Sequence, residues 1–200
     1  MFCEKLTYIV KGVLFKSDKG GDAAMTKLYI EQPRPRLGGF LSDEVYGEAI
    51  GAFVIDCVDF VPVVRQRKIF CLAKRVVESA KGIWRFGGRR KAGENMEEAC
   101  VRLANRELDL TIKPSRFKYV TFQDCVWAHR AQEPKNVGCH TLIHVHTIEL
   151  TPKEFLHAAA NLDPKEYDLS FGIQRFDRER LIRENARVQL LDIYDLVFPD

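Results

Sequence analysis

The stretch from Gly87 to Leu110, GGRRKAGENMEEACVRLANRELDL, decides how this chain is read. Two glycines are followed by basic residues, by Glu94, and then by the most regular helical pattern in the sequence. Glycines let a backbone approach a phosphate or a metal ion closely. Asn95 is placed to cap a helix, and Glu98, three residues on, completes a capping-box pattern. At about 100° per residue, Met96, Ala99, Cys100, Leu103, Ala104 and Leu108 gather on one side. Glu98, Arg102, Asn105 and Arg106 gather on the other. Glu107 is the misfit, because its angle falls inside the apolar stripe. A carboxylate pointing inward is costly unless it is paired or holds a metal. Three readings are open for it: a last-turn residue frayed outward, a buried Arg–Glu pair, or a metal ligand. Arg102 is expected to pair with Glu94 or Glu98 and hold the loop in shape.

Working outward, SDEVYGEAI predicts a short helix capped by Ser42 or Asp43, and AFVIDCVDFVPVV a strongly apolar strand. RQRK reads as a turn and IFCLAKR as a second strand pairing with the first. GIWRFGGRRKAGE reads as a glycine-rich loop. Beyond the central helix, KYVTFQDCVWAHR and CHTLIHVHTIEL are strands, TPKEFLHAA is helical or turn-like, and DRERLIRENARVQLLDIYDLVF closes the chain as one helix. The first 39 residues carry two strand-like runs around KSDKGGDAA and end in PRPRLGG. They predict a β-hairpin-like extension (1–39), or a dimer arm, ahead of a main domain (40–200). Strands and helices of mixed order, with short turns between many strands, give an α+β class with a mixed-sheet sandwich.

Composition narrows the function. The 200 residues are 46% hydrophobic and 30% charged, which supports a real core and excludes a disordered or collagen-like chain. A net charge of +3 is too slight a bias to argue for nucleic acid and suits an anionic small molecule equally well. No apolar run approaches the roughly 20 residues that span a bilayer. The N-terminus does not read as a signal peptide. The six cysteines form no CxxC pair and are expected to be free thiols of a reducing cytoplasm.

The central stretch resembles a Nudix box, G-x5-E-x7-R-E-U-x-E-E-x-G-U, where U is a bulky apolar residue. Gly88, Glu94, Arg102, Glu107 and Leu110 match at the right spacing, and Ala104 stands at the first U. Leu103 replaces the first Glu of the core, Arg106 the second, and Asp109 the final Gly. The GDP-mannose mannosyl hydrolase branch of that superfamily is similar in having R-L in place of R-E and keeping only the last Glu. The likeness extends to LAKR with KGIWRFGGR, to CVWAHR, and to HTLIHVHTIEL, over about residues 40–185.

The resemblance implies a Nudix-type α/β/α sandwich with a mixed sheet, a homodimer, and a Mg²⁺-dependent hydrolase of nucleotide sugars. Water would attack the anomeric carbon and release sugar and nucleoside diphosphate. The Gly87 carbonyl and Glu107 would be metal ligands. Arg75, Arg89 and His129 would stabilise the leaving group, Arg75 and His129 also contacting substrate, and Asp59 would touch the substrate. Pyrophosphate cleavage of another nucleoside diphosphate derivative, or ligand binding with little turnover, are the alternative functions. The loop histidine that serves as base in that branch has no counterpart in NLDPKEYDLSFGIQRF, where Glu166 or Asp168 is expected to substitute. His140, His144 and His146 share one face of a predicted strand, as a metal site or as plain strand histidines.

Overall fold

A computed structural model describes residues 41–199, so the expected 1–39 hairpin or dimer arm lies outside the described residues. The elements are α1 (Asp43–Ala52), β1 (Ile55–Val64), β2 (Ile69–Arg75), β3 (Gly82–Trp84), β4 (Phe86–Arg89), α2 (Met96–Leu108), β5 (Lys118–Trp127), β6 (Cys139–Ile148), α3 (Pro152–Ala160), β7 (Ile173–Phe176), α4 (Arg178–Arg183) and α5 (Val188–Val197). The strands form a mixed seven-stranded sheet in the order β3-β2-β1-β6-β5, with β4 added on β1 and β7 on β2. Among the described residues only the β1–β6 pair is parallel, with Asp59 opposite Val145.

Alternation along β1 explains the layers. Val58 and Phe60 point into a core shared with α2 and α3, where Ala99, Leu103, Leu108 and Ala158 are buried. Val61 and Val63 point into a second core with Leu181 of α4 and Leu190, Ile193 and Tyr194 of α5. A strand buried on both faces reads as the continuous apolar run that VIDCVDFVPVV shows. The result is the expected α+β, α/β/α sandwich.

Three local expectations are corrected. The glycine-rich loop contains two short strands, because β3 pairs with β2 and β4 pairs with β1. The closing helix is two helices, interrupted at Asn185, whose φ of 51° is left-handed and ends the first. The NLDPKEYDLSFGIQRF stretch, for which the sequence predicts no strand, contains β7, paired with β2 from Phe176–Phe70 to Ile173–Ala73.

Candidate functional site

The site begins where β4 runs beside β1. Gly87 lies opposite Asp59 with φ of 150°, and a Cβ there would come within 2.2 Å of an Asp59 oxygen and 2.5 Å of its Cα. Only glycine permits that approach. The following loop closes on Glu94, which accepts hydrogen bonds from the Lys91 N–H at 2.9 Å and from Arg102 Nε and Nη2 at 2.6 and 2.8 Å. Arg102 Nη2 also donates to the Arg89 carbonyl at 3.0 Å, so one guanidinium ties both ends of the loop. Burial raises the Glu94 carboxyl, but these donors outweigh it and hold it below its ordinary value. The capping box forms as expected, with Asn95 Oδ1 accepting from the Glu98 N–H at 2.7 Å and Glu98 accepting from the Asn95 N–H at 3.1 Å. Helix α2 is thereby started at a fixed point, which sets where its last turn delivers Glu107.

Glu107 is fully buried. Its Oε2 accepts from the Gly87 N–H at 3.0 Å and from the Tyr167 hydroxyl at 2.6 Å. Its Oε1 accepts from Arg106 Nη2, and the same nitrogen donates to the Gly87 carbonyl at 3.3 Å. Of the three readings of Glu107, the buried Arg–Glu pair is the one formed. Burial pushes its carboxyl up to about 7 against the lowering effect of Arg106, the Tyr167 hydroxyl and the Gly87 N–H. Burial also lifts the Tyr167 hydroxyl well above its usual range, reinforced by the Glu107 charge.

The other expected site residues divide. Arg75 ends β2 and donates from Nε and Nη2 to Glu166 Oε2 at 3.2 and 2.9 Å. Glu166 is carried there because the segment after α3 is laced to the end of β2, with the Val76 N–H on the Glu166 carbonyl and the Asp168 N–H on the Lys74 carbonyl, both at 2.9 Å. Arg89 stacks over the Tyr46 ring of α1 at 4.3 Å. Arg75, Glu166, Gly87, Arg89 and Arg106 all line one cleft of about 710 Å³. Asp59 reaches the same cleft, but its carboxylate is buried and committed to Arg85 at 2.8 Å, so it holds an internal charge in place and the substrate contact expected of it is corrected. His129 is exposed and does not line the cleft; its neighbour Arg130 is buried and does. Asp168 is half-buried, pairs with Lys74 at 3.3 Å and accepts from Ser170, outside the cleft. The three strand histidines have separate partners: His140 pairs with Asp124, His144 lies 3.2 Å from Asp56, and His146 is buried beside Tyr119. Among the described residues no group of three or more His, Cys, Asp or Glu is placed to hold a metal.

The fit of Mg²⁺ is decided by Arg106. The Gly87 carbonyl and Glu107 do converge, as the resemblance implies, but a guanidinium nitrogen already bonds to both. Two unit charges at 4 Å interact by about 4 kcal/mol at an effective dielectric of 20, and a divalent ion doubles that. An ion sharing this place with Arg106 would face a repulsion of that order. Mg²⁺ fills much of its octahedron with water and phosphate oxygens and needs only one or two protein carboxylates, so it is the occupying guanidinium, not the number of ligands, that decides. As built, these residues do not fit a resident Mg²⁺, which corrects the ligand roles expected of Gly87 and Glu107.

No protein-family model and no curated protein matches the chain in sequence. Solved structures match in shape. The MutT Nudix hydrolase of Burkholderia pseudomallei is 16% identical over 64% of this chain and 87% of its own, with a TM-score of 0.48. The MutT protein of Methanosarcina mazei Go1 is 14% identical over 72% of this chain and 92% of its own, with a TM-score of 0.50. The chain has the MutT-type Nudix fold. In that fold the Gly87–Leu110 stretch is the strand–loop–helix unit just described, and the cleft lies against it.

Two neighbours of the Gly87–Leu110 unit are not marked by the sequence. Tyr167 bonds directly to Glu107 from sixty positions away. Arg106 was read as a solvent-face residue, yet it bridges Gly87 and Glu107. The only sequence signal for it was an arginine where the box has a carboxylate. Among the described residues no helix is long and apolar enough to cross a membrane.

Proposed function

We propose that this chain is a hydrolase of nucleoside diphosphate derivatives, of the nucleotide-sugar class and GDP-mannose-like, releasing free sugar and nucleoside diphosphate. The observation that carries the reading is the cleft of about 710 Å³, lined by Arg75, Arg89 and Arg106 together with Gly87 and Gly88, while Tyr46 and Trp127 supply aromatic wall. Guanidinium groups match phosphate oxygens with a planar, two-pronged set of donors, and aromatic rings take a base or sugar face.

The residues favour breaking the sugar C–O bond over the P–O–P link. Attack at phosphorus in this fold calls for a cluster of carboxylates around metal ions, and α2 lines the cleft with Arg102, Asn105 and Arg106 and with no carboxylate, Glu107 being buried behind Arg106. Departure of a diphosphate from carbon needs its growing negative charge stabilised, which fixed guanidinium groups do. Glu166 is the base in this reading. Both hydrogen bonds from Arg75 fall on Oε2, so Oε1 is the oxygen that takes the proton from water. The water oxygen bonds to the anomeric carbon, the bond from that carbon to the phosphate oxygen breaks, and its electron pair leaves with the diphosphate. No step needs a resident Mg²⁺. A homodimer and a cytoplasmic location belong to the same proposal.

Incubation with a panel of nucleotide sugars, with product identification, tests it. Free sugar plus nucleoside diphosphate is expected, and Glu166→Gln should lower the rate by about 10²-fold or more. Sugar phosphate plus nucleoside monophosphate would establish the pyrophosphatase instead. Saturable binding of every nucleotide sugar without product would establish a binding module, which the Arg75 grip on Glu166 also favours.

A further inference from the structure

We propose that the guanidinium of Arg106 is the permanent cation of this site, standing between the Gly87 carbonyl and the Glu107 carboxylate, so that the cleft binds the diphosphate of its ligand without a divalent ion. The ligand part rests on the nucleotide reading above; the cation part rests on the geometry alone.

Four observations converge. Arg106 Nη2 donates both to Glu107 Oε1 and to the Gly87 carbonyl, the two oxygens that would otherwise face a metal. Glu107 Oε2 already accepts from the Gly87 N–H and the Tyr167 hydroxyl, which fills its lone pairs. Two further carboxylates on the cleft wall are also taken, Glu166 by Arg75 and Asp59 by Arg85. The Arg106 side chain is 43% exposed and lines the cleft, while Glu107 is wholly buried. The arginine therefore presents its charge to the cleft while its buried partner fixes it in place. A metal ion does this in a carboxylate-rich site, bound behind by the protein and in front by phosphate oxygens. A tethered guanidinium performs the same electrostatic task with donors of fixed direction.

Removing the tether distinguishes the two kinds of site. The full chain is titrated with Mn²⁺, followed by loss of the free-ion spin-resonance signal and by thermal melting, and separately with inorganic pyrophosphate in EDTA, followed by tryptophan fluorescence. Wild-type chain is expected to take up no Mn²⁺ and to bind pyrophosphate equally, within about twofold, with EDTA or with excess Mg²⁺. Arg106→Ala vacates the place, and Mn²⁺ should then bind and raise the melting temperature. Adding Glu107→Gln to that variant should abolish both effects. Arg106→Lys keeps the charge and should stay blind to Mn²⁺, which guards against a misfolded alanine variant. Binding of Mn²⁺ to wild-type chain that disappears in Glu107→Gln would overturn the resident-cation claim, as would failure of a folded Arg106→Ala to bind Mn²⁺. If the Mn²⁺ results are as expected but pyrophosphate and GDP do not bind, the cation claim stands and the nucleotide reading falls.

Discussion

His146 carries the clearest acid sensitivity at the scale of a single residue. It is buried on β6 against Tyr119, and among the described residues neither ring nitrogen has a hydrogen-bond partner. Burial lowers its pKa to about 4. An unfolded histidine titrates near 6.5, so between those values the unfolded chain binds more protons than the folded one. Stability contributed by the neutral ring is therefore complete above pH 6.5 and lost as the pH falls toward 4, by up to about 1.4 kcal/mol per pH unit. Replacing His146 by Leu should flatten that limb of the stability–pH curve, measured by urea unfolding at a series of pH values. Residue by residue, the sequence was a fair guide where a side chain acts within its own helix or loop. Glu107 was marked by its angle and Arg102 by its spacing from Glu94. It was a poor guide where the partner arrives from elsewhere. Nothing local distinguishes Tyr167 from the other tyrosines, and the motif points to His129 while Arg130 turns inward, because a motif position does not reveal which of two adjacent side chains faces the cleft.

At the scale of elements, α2 is held by its start. The reciprocal Asn95–Glu98 bonds satisfy donors that the first turn leaves open. Asn95→Ala should cost about 1 kcal/mol, seen as a lower denaturation midpoint with unchanged slope. The long strands β1, β2, β5 and β6 were legible because their apolar runs are strong and bounded by turns. The short strands were not. Phe86–Arg89 is half glycine and becomes a strand only because β1 offers it an open edge. Ile173–Phe176 follows a polar, turn-rich stretch, and pairing with β2 makes it regular. The break at Asn185 was missed because the residues on both sides keep a helical apolar period, and one left-handed residue interrupts it.

Across the whole molecule, charge is concentrated without being large. A net +3 spread over 200 residues would steer little, yet Arg75, Arg89, Arg106 and Arg130 reach the same cleft. If that cleft takes a diphosphate, affinity for GDP should fall severalfold when ionic strength rises from about 0.02 M to about 0.2 M, since the Debye length shrinks roughly threefold. Calorimetric titration at the two salt levels checks this, and an unchanged affinity would place binding on the aromatic wall.

The stretch that follows α3 grips Glu107 twice, through the Asp163 N–H on its carbonyl at 3.0 Å and the Tyr167 hydroxyl on its carboxylate at 2.6 Å. Those contacts join the tail of one helix to a crossing that the ribosome emits more than fifty residues later. Glu107 is therefore covered only when this late crossing docks, so a nascent chain halted before it would carry a helix end with an unsheltered carboxylate.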